Sequence, residues 1–187
     1  VSFPSLAPWM KKYGDHSPKL INMYGITETT VHVTFREIRE QDLSLSGSFI
    51  GLPLPDLMVY LVDEHGCPVP DNVPGEIWVG GDGVSAGYLN RPELSAERFI
   101  NDPFNDNGGR IYRSGDLARR HHSGDLEYLG RIDNQVKIRG FRIELDEVEA
   151  CLAGHLEVQQ AVVAIREGED RSKEIWAWIM ARAGDRK

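Results

Sequence analysis

The chain has 187 residues, 41% of them hydrophobic and 27% charged, and carries a formal net charge of −8. That is enough chain for one domain or for parts of two, and the composition is that of an ordinary folded protein and not of a disordered chain. The acidic balance argues against general nucleic-acid binding, which needs basic surface, yet leaves a nucleotide open as ligand, because one triphosphate needs only a few local donors and a metal.

In chain order, residues 19–24 (KLINMY) form an apolar run ending at Gly25 and predict a buried strand feeding a loop. Residues 32–38 (HVTFREI) alternate and predict a second strand. Residues 57–63 and 75–80 predict strands separated by turn chemistry. Residues 80–87 hold four glycines and predict a loop, and a short helix is expected over 95–99. Short strands are expected at 111–113 and 126–129, so that 46–130 reads as a compact antiparallel unit, barrel or sandwich. After Arg131 the character changes. Residues 135–139 predict a strand, Leu145, Val148 and Leu152 recur at helical spacing, and 158–165 and 174–180 predict two more strands, giving the order β-α-β-β. Glu144, Asp146 and Glu147 crowd the start of that helix, where the dipole favours carboxylates.

Cys67 and Cys151, the two cysteines, make neither a disulfide framework nor a zinc pattern, and read as reduced thiols of a cytoplasmic protein. The opening VSFPSLAPWM lacks the basic start and apolar run of a signal peptide, and no apolar stretch is long enough to span a membrane. The chain begins without Met and stops after a strand-like run, so a piece of a longer protein is expected.

Four segments carry chemistry: NMYGITETT (22–30), PGEIWVGGDGVSAGYLNRPELSAERF (74–99), YRSGDLARR (112–120) and YLGRIDNQVKIRGFRIELDEVE (128–149). Thr27 and Glu28 put a hydroxyl and a carboxylate just beyond a strand, where ligands sit in open α/β sheets. The hydroxyl suits a phosphate and the carboxylate suits Mg2+, although capping of a helical turn is the commoner use of such residues. Asp116, after Ser114-Gly115, suits a ribose diol, with an Asx-type turn as the commoner alternative. Tyr128 and Arg131 flank Gly130. They suit a purine face and ribose or phosphate oxygens, or else a packed strand residue and a surface ion pair. The glycine-rich loop lacks the ending of a P-loop, so a phosphate cradle there is weakly supported.

Taken together, in this order and spacing, the four segments resemble the core motifs of the adenylate-forming superfamily, and above all the amino-acid-activating adenylation domains of nonribosomal peptide synthetases. The resemblance runs from about Lys19 to about Glu149. It implies α/β plus β architecture: residues 1–130 as the C-terminal part of the large adenylation domain (1–45 the end of an α/β subdomain, 46–130 a β-rich, barrel-like subdomain), 131–134 a hinge, and 135–187 the start of a small α+β domain. It implies ATP and Mg2+ as cofactors, an amino acid as substrate, and a partner carrier domain bearing phosphopantetheine, with a condensation domain upstream in the full protein; neither nucleic acid nor membrane is implied.

Residue by residue, the resemblance implies that Tyr24 stacks on adenine beside Asn22 and Gly25, that Thr27 bonds a phosphate, and that Glu28 ligates Mg2+. Asp116 would hold the ribose hydroxyls, Tyr128 would line the adenine site, and Arg131 would contact ribose or phosphate. Asp133 matches the hinge, and Lys137 and Gly140 lie in the loop that faces the site in the thioester step. Met23, Val31 and His32 match substrate-pocket positions, and their combination resembles the threonine-activating pattern. Ser114 stands where threonine is usual, and Asp146 where glycine is common. The family's phosphate loop, ammonium-binding aspartate and late catalytic lysine are not among these residues, so the chain alone is not expected to catalyse. The alternatives are an acyl-CoA synthetase-like carboxylate ligase and a noncatalytic adenylation-like module.

Overall fold

Pro8 in the first turn and Gly14 just past the last one bound the first helix, α1 (Ala7–Tyr13). Proline is tolerated there because its missing N–H would have no partner. Gly14, at φ +69°, turns the chain and donates its N–H to the Met10 carbonyl at 2.8 Å. Met10 is buried with Phe3 and Ile38 in a small core of its own. The computed structural model describes residues 3–106, 108–132, 135–138, 141–168 and 173–182. It divides the chain into two compact units, Val1–Ile132 and Asp133–Lys187.

The first unit is built on one eight-stranded sheet. Its strands are β1 (Leu20–Tyr24), β2 (Thr34–Ile38), β3 (Ser48–Pro53), β4 (Leu57–Val62), β5 (Gly75–Gly81), β6 (Phe99–Asn101), β7 (Arg110–Arg120) and β8 (Leu126–Arg131), with helix α2 (Pro92–Arg98) before β6. The order is β1-β2-β3-β8-β7-β5-β4, and β6 pairs with β7. Every pairing among the described residues is antiparallel. The sheet is continuous across residue 45, because β2 pairs with β3 through Thr34–Pro53 and Phe35–Leu52. Ile26, Val33, Ile77, Val79, Tyr112 and Leu126 form the centre of its main core.

Several expectations change. β1 is not buried: it lies at one end of the sheet, and Ile21 and Met23 are 47% and 38% exposed while Asn22 is buried. An apolar run reads as a doubly covered strand, but coverage depends on neighbours that the run does not encode. The strand expected at 111–113 is eleven residues long. Ser114-Gly115-Asp116 reads as a turn, yet Gly115 takes φ +72° within the strand and the ladder absorbs it with register shifts on both sides. Gly80 and Gly81 belong to β5, so the glycine-rich loop begins at Asp82. The helix placed at 95–99 spans Pro92–Arg98, and Phe99 opens β6.

The second unit holds two antiparallel hairpins and a helix: β9 (Gln135–Ile138) with β10 (Phe141–Glu144), α3 (Leu145–Ala153), and β11 (Val158–Glu167) with β12 (Lys173–Ala181). The order is therefore β-β-α-β-β, one strand more than the expected β-α-β-β, because Phe141–Glu144 pairs antiparallel with β9. Leu145 on α3 and Val158, Ala161 and Val163 on β11 are buried, and Glu149 accepts a hydrogen bond from the Val163 N–H at 3.0 Å. Asp146 lies in the first turn of α3 and is absent from the residues with positive φ, so the change from glycine carries no backbone strain. No described helix is long and apolar enough to cross a membrane.

Candidate functional site

Asp116 is 4% exposed, and a buried carboxylate is stable only when paired and hydrogen-bonded. Three side chains from two other strands meet it. The Tyr24 hydroxyl, at the end of β1, donates to Oδ2 at 2.5 Å. The Tyr128 hydroxyl donates to Oδ1 at 3.2 Å. The Arg131 guanidinium pairs with Oδ1 at 3.2 Å, with its side chain 13% exposed. Tyr128 and Arg131 are three apart on β8, which in a regular strand would send them to opposite faces. The ladder between β7 and β8 shifts there, with Leu117 opposite Gly130 and Ala118 opposite Tyr128. The extra residue in β8 restores both side chains to the Asp116 side, and Gly130, at φ +120°, accommodates the bulge. Burial and the adjoining Asp116 carboxylate push the Tyr24 hydroxyl well above its ordinary pKa, so it remains a donor.

The local turn bond belongs to Ser114, whose Oγ accepts the Asp116 N–H at 3.0 Å and donates to the Ile77 carbonyl at 2.6 Å. The hydroxyl shared by serine and threonine is thus the part in use. Arg131 is not a solvent-exposed pair.

The second carboxylate is Glu28, 7% exposed, in the 3-10 turn Thr27–Thr29. The capping alternative finds no support, since the turn's N-cap is Ile26 and no side chain caps it; Thr27 stands exposed at its first position. Oε1 of Glu28 accepts hydrogen bonds from Tyr88 at 2.7 Å and Tyr112 at 2.9 Å. The glycine-rich loop buttresses this turn. Ser85 donates its N–H to the Glu28 carbonyl at 2.9 Å, and Thr30 Oγ1 donates to the Gly83 carbonyl at 2.8 Å. Burial, then the bonds to Tyr112 and Glu28, hold the Tyr88 hydroxyl far above its ordinary pKa. Tyr88 and Tyr112 stand inside the quoted motifs, but nothing in their spacing marks them as partners of a residue 60 and 84 positions away.

Among the remaining expected site residues, Asn22 is buried and donates its amide to the Phe49 carbonyl at 2.6 Å, tying β1 to β3. Gly25 sits where the chain folds back on itself, under the Val31 carbonyl. Met23, Val31 and His32 are all exposed, and Met23 alternates to the face opposite Asn22 and Tyr24. Asp133, Gly140 and the side chain of Lys137 lie outside the described residues.

The family model "AMP-binding enzyme" matches residues 3–89. Malpinin synthetase of Mortierella alpina is 51% identical over 96% of this chain, which spans 2% of that protein. The dimodular nonribosomal peptide synthase of Bacillus subtilis (strain 168) is 49% identical over 94% of this chain, which spans 7% of it. The chain belongs to the AMP-binding enzyme family. Within it, the likeness is to adenylation regions of nonribosomal peptide synthetases. PA1221, an NRPS protein containing adenylation and PCP domains, superposes with a TM-score of 0.85 at 28% identity, over 98% of this chain and 37% of that one. Holo-AB3403, a four-domain nonribosomal peptide synthetase bound to AMP and glycine, matches with a TM-score of 0.63 at 36% identity, over 100% of this chain and 14% of that one. The chain thus spans well under a tenth of the curated relatives it matches.

Proposed function

We propose that this chain supplies the ribose, adenine and metal positions of an enzyme that joins an amino acid to ATP and then loads it on a phosphopantetheine carrier. The observation that carries the reading is the convergence of Tyr24, Tyr128 and Arg131 on Asp116. A ribose diol brings two O–H donors, the same chemistry that Asp116 already accepts from two tyrosines. Tyr24 and Tyr128, with ring centroids 6.0 Å apart, offer aromatic surface beside that carboxylate for a purine. Arg131 offers further donors to ribose or phosphate oxygens, and the exposed Thr27 hydroxyl suits a phosphate.

Glu28 fits Mg2+. The described residues contain no group of three or more His, Cys, Asp or Glu able to cage a metal, and Mg2+ is commonly held by one or two carboxylates together with substrate phosphates and water. Bound there, the ion would neutralise charge on the phosphates. The first half-reaction is attack of the amino-acid carboxylate oxygen on the α-phosphorus, with pyrophosphate leaving. In the second, the carrier thiol sulfur attacks the acyl carbon and AMP leaves. Both depend on positioning and charge stabilisation, which the fixed carboxylates and Arg131 provide. The division of the chain after Ile132 supports Asp133 as the hinge, with Lys137 and Gly140 serving the thioester step.

Met23, Val31 and His32 point to threonine as the amino acid. In the full-length protein, threonine is expected to drive ATP–pyrophosphate exchange, and Asp116→Asn to weaken ATP binding about tenfold by removing the charged acceptor. Exchange driven by another amino acid and not by threonine overturns the substrate. Unchanged ATP affinity in Asp116→Asn overturns the ribose assignment.

A further inference from the structure

Two tyrosine hydroxyls converge on one oxygen of a buried carboxylate, and each comes from a different element. Tyr112 is on β7 and only 1% exposed. Tyr88 is on the segment after the glycine-rich loop. The two hydroxyl oxygens are 3.1 Å apart, so two protons serve three close contacts, and donation by both to Glu28 uses them up. The rings are held as well as the hydroxyls: Phe99 packs against both, its ring centroid 5.3 Å from that of Tyr88, edge-on, and 5.0 Å from that of Tyr112. The Tyr88 backbone is pinned in turn, its N–H donating to Ser95 Oγ of α2 at 2.8 Å and that hydroxyl donating to the Arg91 carbonyl at 2.7 Å.

From this geometry we propose that Tyr88 and Tyr112 are positioning residues that fix the orientation of the Glu28 carboxylate for a divalent cation. The inference rests on the reading of Glu28 as the metal ligand. Two charge-assisted bonds to Oε1 stop the carboxylate rotating about its last torsion. A ligating carboxylate held in this way binds its ion more tightly, and loss of such outer partners typically costs ten- to a hundredfold in metal affinity. The arrangement also gives a purpose to the RPELS helix, which holds Tyr88 from behind.

The test is Mn2+ binding to the full-length protein, read by water-proton relaxation in the presence of a methylene-bridged, unreactive ATP analogue. AMP affinity and melting temperature are measured beside it. Tyr88→Phe and Tyr112→Phe are each expected to weaken Mn2+ binding about tenfold, with AMP affinity unchanged, since the Asp116 cluster is untouched. Glu28→Gln is expected to lose more. Tyr60→Phe, which removes a hydroxyl bonded to Asp102 at 3.4 Å, is expected to bind Mn2+ like the parent. If Glu28→Gln loses Mn2+ while both tyrosine variants retain it, the positioning role is wrong and the reading of Glu28 stands. If Glu28→Gln also binds Mn2+ like the parent, that reading fails and the inference with it. Equal loss of Mn2+ and AMP binding in the tyrosine variants would show a purely structural role and overturn the proposal. Should Tyr112→Phe fail to fold, Tyr88→Phe, at the half-buried position, decides.

Discussion

A Cβ on Gly25 would lie 1.5 Å from the Val31 carbonyl oxygen. The loop between β1 and β2 returns over this residue, with Val31 N–H on the Ile26 carbonyl at 3.1 Å and Val33 N–H on the Tyr24 carbonyl at 2.8 Å. Glycine is therefore required by close backbone approach, at the mouth of the loop that begins after Tyr24 and carries Glu28. The loop is also strained. Thr30 and Val31 hold φ of +60° and +73°, a conformation that costs β-branched residues about 1–3 kcal/mol each. Such strain persists only when its surroundings impose it, and the Thr30 bond to Gly83 is one such restraint. Gly25→Ala is expected to destabilise the chain by about 3 kcal/mol or more, seen as a lowered midpoint in urea unfolding. An unchanged midpoint would mean that the loop is held less tightly than its geometry indicates.

At the scale of elements, β2 is joined to its surroundings by Arg36. The guanidinium bonds Asp42 at 2.8 Å and pairs with Asp125, and it lies 5.7 Å and 5.4 Å from the ring centroids of Phe3 and Phe49. It thus ties the N-terminal turn, β2, β3 and the turn before β8 together. Asp42 is 4% exposed, so Arg36→Ala strands a buried charge, a change that costs about 3–5 kcal/mol. Urea denaturation of the variant measures it, and a double variant with Asp42→Asn is expected to recover part of the loss. The alternation in HVTFREI announces a strand, but not that its arginine turns inward, because burial of a charge depends on partners elsewhere in the chain. The same reason hid β7, whose Ser-Gly-Asp core has turn composition and is straightened by pairing with three strands.

At the scale of the molecule, this chain corresponds to 37% of the PA1221 chain, and its residues include no match to the family's phosphate loop, ammonium-binding aspartate or late lysine. Purified by itself it is expected to show no ATP–pyrophosphate exchange; measurable exchange would show that those parts are dispensable. The sequence by itself determined the family, through four ordered segments whose joint spacing chance does not produce. It also determined most strands, since alternation and turn residues are local signals, and it singled out Asp116, Tyr128 and Arg131. Only the tertiary structure decided where these stand and what they touch. It took a bulge to bring Tyr128 and Arg131 to the same carboxylate, an edge position to expose β1, and packing between distant segments to place Tyr88 and Tyr112 on Glu28. The division has one physical cause: propensity and motif are written in neighbours along the chain, whereas a buried carboxylate is satisfied by neighbours in space.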